Sequence, residues 1–196
     1  MPILIKGLRI RGAVVRVLDF GGLLTPSLGG ATQRVNRLGT RYAIDIELPP
    51  LPEEPDGRVL TAMLEQALTQ GASFPLPKTG LRTQPAGSPV ISATTTGGST
   101  IPISGLTPNY QFVAGQFLSI IHGGRRYLHR ASAATVASDT GTIAALPIVP
   151  LLRCALAIND VVEAESPTIE GWVDIPSWSV LSSPHTSVRF SITEAA

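Results

Sequence analysis

The sequence predicts an all-β protein with one short α-helix, arranged as two β-sandwich- or barrel-like lobes. Three observations predict it. Nineteen glycines and seventeen prolines punctuate a chain of 196 residues, more turn formers than long helices tolerate. Charged residues make up 15%, against roughly 25% on average, so there is little material for solvated helical faces. Only one stretch carries an apolar stripe of helical period; the rest alternate or run as short β-branched segments. The low charge also points to surface covered by other subunits.

The elements follow in chain order. Leu8 to Val17 alternates apolar with arginine, which reads as a strand or hairpin with Gly12 as a turn or bulge. Residues 21–30 (GGLLTPSLGG) read as a loop. Thr32–Leu38 and Arg41–Leu48 read as strands about a tight turn at Gly39-Thr40. On the second, Tyr42, Ile44, Ile46 and Leu48 share one face, and Asp45 and Glu47 the other. The prolines of 49–57 remove ladder donors and end that sheet segment. Arg58–Gln70 is the helix, with Val59, Leu60, Met63, Leu64, Ala67 and Leu68 in a stripe. Asp56 or Gly57 is its expected start and Gly71 its end.

Residues 72–89 hold one short strand around Phe74, and the lobe boundary falls there. Residues 1–88 are then an N-terminal lobe containing helix 58–70, and residues 89–196 a C-terminal lobe of strands. Val90–Ala93 and Thr100–Ile103 flank a TTTGGS turn, and Ala133–Val136 and Ile143–Ile148 flank SDTG. Phe117–His122 and Arg125–Arg130 flank Gly123-Gly124, a two-residue hairpin signal. Val161–Glu165, Trp172–Ile175, Trp178–Leu181 and Val188–Thr193 complete the set.

Several function classes are excluded or disfavoured. No apolar run is long enough to span a membrane. The first residues, MPILIK, lack the order of a secretory signal, and synthesis in a reducing cytoplasm is the expectation. One cysteine, Cys154, rules out an internal disulfide framework and a cysteine-rich zinc site. A net charge of +1 argues against a dedicated phosphate-binding face. If Gly123-Gly124 is the turn, His122 faces Arg125 and His129 faces Leu118, too far apart to share a metal. Glu163 and Glu165 lie on one strand face, where acids alternating out from Val162 and Ala164 read as its wet side. Ser182, Ser183 and His185 lack a nucleophile elbow. Arg153 beside Cys154 favours the thiolate, yet an inert buried thiol is the plainer reading. The sequence thus predicts no enzyme and no cofactor or metal.

Charge is segregated along the chain. Residues 1–41 carry seven basic side chains and one acid, Asp19; residues 42–57 carry five acids and no base. Opposite charge on adjacent stretches suits head-to-tail association of copies. The expected subunit interface therefore places Arg9, Arg11, Arg16, Arg34, Arg37 and Arg41 of one copy against Asp45, Glu47, Glu53 and Glu54 of the next. Arg125, Arg126 and Arg130, around Tyr127, are a further basic-aromatic contact for a partner.

The run from Phe112 to Trp172 carries Gly115-Gln116, Tyr127, Asp139-Thr140-Gly141, Pro150-Leu151-Leu152-Arg153 and Val161-Val162-Glu163 in order. It resembles the C-terminal portion of distal tail proteins, the tail-tip or baseplate hub rings of long-tailed bacteriophages. Trp178-Ser179-Val180 through Arg189-Phe190-Ser191-Ile192 is similar to that family's closing strands. Arg41-Tyr42 leading to Leu48-Pro49-Pro50, then the helix and Phe74, is similar to its first half. The resemblance covers about residues 20–193 and departs at 1–19 and 52–57.

The resemblance implies a virion structural protein made in the bacterial host cytoplasm and sited at the tail tip. Residues 1–88 would be the belt that builds a ring, commonly a homohexamer. That ring would join the tail tube protein to the hub and tape-measure proteins, with receptor-binding or side-fibre proteins outside, and without specific nucleic-acid binding. The alternative from the residues alone is a carbohydrate-binding β-module stacking sugar on Trp172, Trp178 and Tyr127.

Overall fold

The computed structural model describes residues 1–77, 84–178 and 185–195, with 175–178 as backbone. The first stretch forms β1 (Ile3–Leu4), β2 (Gly12–Leu18), β3 (Gly22–Leu24), β4 (Gln33–Val35), β5 (Arg41–Glu47), β6 (Leu51–Pro52), α1 (Arg58–Gln70) and β7 (Ala72–Pro75). The middle forms β8 (Gly87–Ile91), β9 (Thr100–Leu106), β10 (Gln111–Phe112), β11 (Phe117–His122), β12 (Arg125–Ala131), β13 (Thr135–Val136), β14 (Ile143–Val149) and β15 (Val161–Glu163). The last stretch forms β16 (Thr168–Trp178), β17 (His185–Thr186) and β18 (Val188–Glu194). The protein is all-β with one short helix, as its punctuation requires. Among the described residues no helix is long and apolar enough to cross a membrane.

Two bodies result. A six-stranded sheet runs in the order β1-β7-β16-β18-β5-β2. A closed barrel runs β11-β12-β14-β9-β8-β15. The barrel is one contiguous stretch, Gly87 to Glu163, set between β7 and β16. The sequential division at 88/89 thus meets the start of the barrel, but β16 and β18 return to the first sheet as its inner strands. Their alternation explains the return. Ile169, Val173, Phe190 and Ile192 are buried with Ile44 and Ile46 of β5 and with Phe74 of β7 in one apolar cluster. Sequence order shows that such strands exist; it does not show which sheet their apolar face completes. Trp172–Ile175 and the start of Trp178–Leu181 belong to one strand, and residues 179–181 lie outside the described residues. The ladder with β18 shifts register between Asp174 and Ser177, where Pro176 has no N–H to give.

The helix spans the residues its stripe predicts. Leu60, Leu64 and Ala67 join the sheet cluster. Gly71 closes it at φ 78°, donating its N–H to the Ala67 carbonyl at 2.8 Å. Gly57 stands at its start, as expected, though in αR with no side-chain cap, and the chain enters through an irregular turn at Glu53–Gly57. In the barrel, Gly123 and Gly124 have φ of 58° and 77°, the two positive angles a tight hairpin turn needs. The resulting register pairs His122 with Arg125 and His129 with Leu118. The interior packs Ile101, Ile103, Leu118, Ile120, Leu146 and Ile148, with Tyr110 and Phe112 edge-to-face at 5.0 Å.

Polar contacts join barrel to sheet. Leu128 of β12 packs into the sheet cluster rather than the barrel's own. Beneath it lies Glu194, whose side chain is fully buried. Its carboxylate accepts the Leu128 N–H at 2.6 Å, the Tyr42 N–H at 3.1 Å and the Arg153 guanidinium. Burial pushes this carboxyl upward, and Arg153 with the two N–H groups opposes it. A second joint links Arg126 to Glu163 at 3.0 Å and to Glu170 at 3.3 Å.

Candidate functional site

Among the described residues the longest exposed stretch is an arm between β2 and β5. The β2–β5 ladder ends at Leu18 opposite Arg41. Beyond it, among the described residues, β3 and β4 pair only with each other, Gly22 to Val35 and Leu24 to Gln33. Every residue from Gly22 to Gly39 is exposed. Among them are Leu23 (66%), Leu24 (58%), Leu28 (98%), Val35 and Leu38, with Phe20 at the root. Side chains of this size gain nothing by standing in water, and their clustering on one projection marks a contact surface. By sequence, residues 21–30 are a plain loop; the three leucines in that Gly/Pro-rich segment are the signal of a contact arm.

The arm's root is held by a polar knot. The Asp19 carboxylate accepts the Gly21 N–H at 2.9 Å, the Arg34 guanidinium at 2.5 Å and the Thr40 hydroxyl at 3.1 Å. The Gly21 N–H, Arg34 and Thr40 bonds to its charged form hold its pKa below the usual carboxylate range. Arg34 also donates to Asn36 at 2.9 Å. Arg41 stacks over the Phe20 ring at 5.0 Å. Behind the knot, a groove of about 340 Å³ opens between the arm and the end of β14.

The charge-derived interface is rearranged by this geometry. Arg16 meets Asp45 through two bonds of 2.6 and 2.8 Å within one chain. Glu47 takes Arg11 at 3.4 Å and Arg189 at 2.9 Å. Glu54 pairs with Arg58 one turn away. Of the residues assigned to opposite copies from segment charge, Arg16 with Asp45 and Arg11 with Glu47 pair within one chain, while Glu47 and Glu54 also take Arg189 and Arg58, which lay outside that assignment. Segments of opposite charge in sequence became neighbouring strands. Arg9, Arg37 and Glu53 make no ion pair among the described residues. Of the barrel arginines, Arg126 is engaged with Glu163 and Glu170. Arg130 donates to the Gly115 carbonyl at 2.6 Å and stacks on Phe117. Arg125 lies at the exposed mouth of the hairpin.

The groups weighed for catalysis are placed as follows. Glu163 is bound by Arg126, and Glu165 accepts the Ala86 N–H at 2.6 Å. His122 faces Asp160 at 2.8 Å. His129 is buried against the Pro150 carbonyl at 3.1 Å, and burial with the nearby Arg153 lowers its pKa to about 4. Burial raises the Cys154 thiol, outweighing Arg153 and the Tyr127 hydroxyl. Ser182 and Ser183 lie outside the described residues, and His185 opens β17. Among the described residues no three His, Cys, Asp or Glu are grouped to hold a metal ion.

The tryptophans separate. Trp172 stands 55% exposed on the polar face of the sheet, opposite Thr193 and two residues from Asp174. Trp178 ends β16, and its side chain is outside the described residues. Tyr127 is half-buried under Arg153 at 5.3 Å. No protein-family model matches this chain, and no curated protein matches its sequence.

Proposed function

We propose that the protein is a structural subunit that assembles with copies of itself into a closed ring, the distal tail ring of a long-tailed bacteriophage. The observation that carries self-assembly is the arm, six large apolar side chains presented on a projection that a single copy leaves uncovered. A projection docking on a different surface of the next copy is a heterologous contact, and such contacts close into rings when the rotation allows. The tail assignment, the number of copies and the neighbours (tail tube, hub, tape-measure and outer fibre proteins) rest on the resemblance of residues 20–193. No catalytic step, cofactor or metal belongs to this reading. Negative-stain electron microscopy of the purified protein tests it: annular particles are expected, and a field of single small particles at all concentrations overturns it.

A second reading is favoured by one observation, the exposure of Trp172 beside Asp174, Ser191 and Thr193. An indole flanked by hydrogen-bonding side chains on a flat sheet suits stacking on a sugar ring. It predicts retention on host-cell polysaccharide that Trp172→Ala removes while the fold is kept.

A further inference from the structure

The groove at the arm's root adjoins a second feature, the outer edge of β2. Among the described residues β2 pairs with β5 alone, so the N–H and C=O groups along its other side meet no strand. Edges of this length are normally blunted by a bulge, a proline or an outward charge. Gly12–Leu18 holds no proline and no register shift. Its one charge, Arg16, is neutralised by Asp45 while both stay half-exposed, and Val14, Val15 and Val17 remain exposed.

The edge and the groove share a face. Val15 lies opposite Ile44, and Val17 opposite Tyr42. Val17 and Tyr42 then continue as the groove's apolar floor with Val149 and Pro150. A strand added beside β2 would place every second side chain over that floor. The rim is selective in charge. Arg34 is neutralised by Asp19, whereas Arg37, also lining the groove, makes no ion pair among the described residues. The unbalanced charge at the rim is therefore positive.

We infer that this groove takes an extended peptide segment of a partner protein, added as a strand to the edge of β2, with an apolar side chain over Val17 and Pro150 and a carboxylate at Arg37. Main-chain bonds to the edge supply affinity, and the alternate side chains supply selection. The site uses β2 and the arm's root around Arg37, so it requires that any ring contact through the arm be made at its tip, at Leu23, Leu24 and Leu28, and leave the root open.

The test uses the full chain and two fluorescent hexapeptides with threonine at every second position; the positions between carry valine, valine and glutamate in one peptide and valine, valine and lysine in the other, so the apolar and charged side chains share the groove face. Anisotropy reads binding, and hydrogen exchange followed by mass spectrometry locates it. The glutamate peptide is expected to bind and to slow exchange in Gly12–Leu18, with the lysine peptide much weaker. Arg37→Glu should weaken the glutamate peptide about fivefold or more and reverse the preference, and Arg37→Lys should keep it. Arg37 is exposed, so neither variant disturbs the core. Equal binding of the two peptides overturns the inference, as does protection confined to other segments. Concentration-dependent protection of Gly12–Leu18 without peptide also overturns it, by showing a second copy on that edge.

Discussion

Glu194 ties the barrel to the sheet through one buried carboxylate, and His129 is a buried group within the barrel. Glu194 gathers donors from β5, β12 and the segment after β14, so three stretches distant in sequence converge on one carboxylate. Nothing in a strand reading TEAA points to this; burial at the joint creates it. His129, one residue beyond Leu128, is buried and neutral. Its folded pKa of about 4 lies below the ordinary 6.5. As pH falls through that window, the unfolded chain takes up a proton that the buried imidazole refuses. Stability is therefore present above pH 6.5 and is lost toward pH 4, by about 3 kcal/mol in all. Denaturant unfolding at a series of pH values should show this loss relative to His129→Gln, whose own profile lacks it. Glu194 acts with the opposite sign but is common to both proteins, so the difference isolates His129. Parallel profiles would contradict the assignment. The arginines teach the complementary lesson. Arg16 and Asp45 are 29 residues apart, and only the β2–β5 register makes them partners. Counting charge by segment could not distinguish pairing within a copy from pairing between copies.

At the level of elements, local chemistry was legible and pairing was not. The apolar stripe placed α1, Gly123-Gly124 set the β11–β12 register, and alternation set the faces of β5. The joining of β16 and β18 to the first sheet was invisible, because an apolar face does not name the face it will meet. Pro176 made one long strand read as two. The turn before β14 carries a tighter requirement. Gly141 has φ +70°, and a Cβ there would lie 1.9 Å from the Leu106 carbonyl oxygen, whose own N–H bonds to the Gly141 carbonyl at 3.0 Å. Backbone cannot yield as a side-chain tip would. Gly141→Ala should therefore lower the unfolding free energy by about 3 kcal/mol, read in urea, with β9 and β14 exchanging amide protons fastest. A variant as stable as the parent would show that the turn relaxes freely. Gly123→Ala meets nothing within 4 Å and is the control for positive φ alone.

At the scale of the whole molecule, low charge content suits a surface covered in an assembly, and the proposed ring would place that surface on the arm. With the ion pairs on the β2–β5–β18 face made within one chain, the proposed assembly draws on apolar contact rather than charge. Added salt should therefore leave the assembly intact, whereas acids at the arm's apolar tip should break it. Leu23→Asp with Leu28→Asp alters two side chains that are 66% and 98% exposed in the single copy and belong to neither core, so folding is expected to survive. Assembly through the arm is tested most directly by the native mass of the purified chain. The expected result is one closed oligomer, an integral multiple of 20.6 kDa and six copies if the resemblance holds, that the paired Asp variant reduces to 20.6 kDa. A parent chain that runs at 20.6 kDa at every concentration, or a variant that keeps the parent's mass, would contradict it.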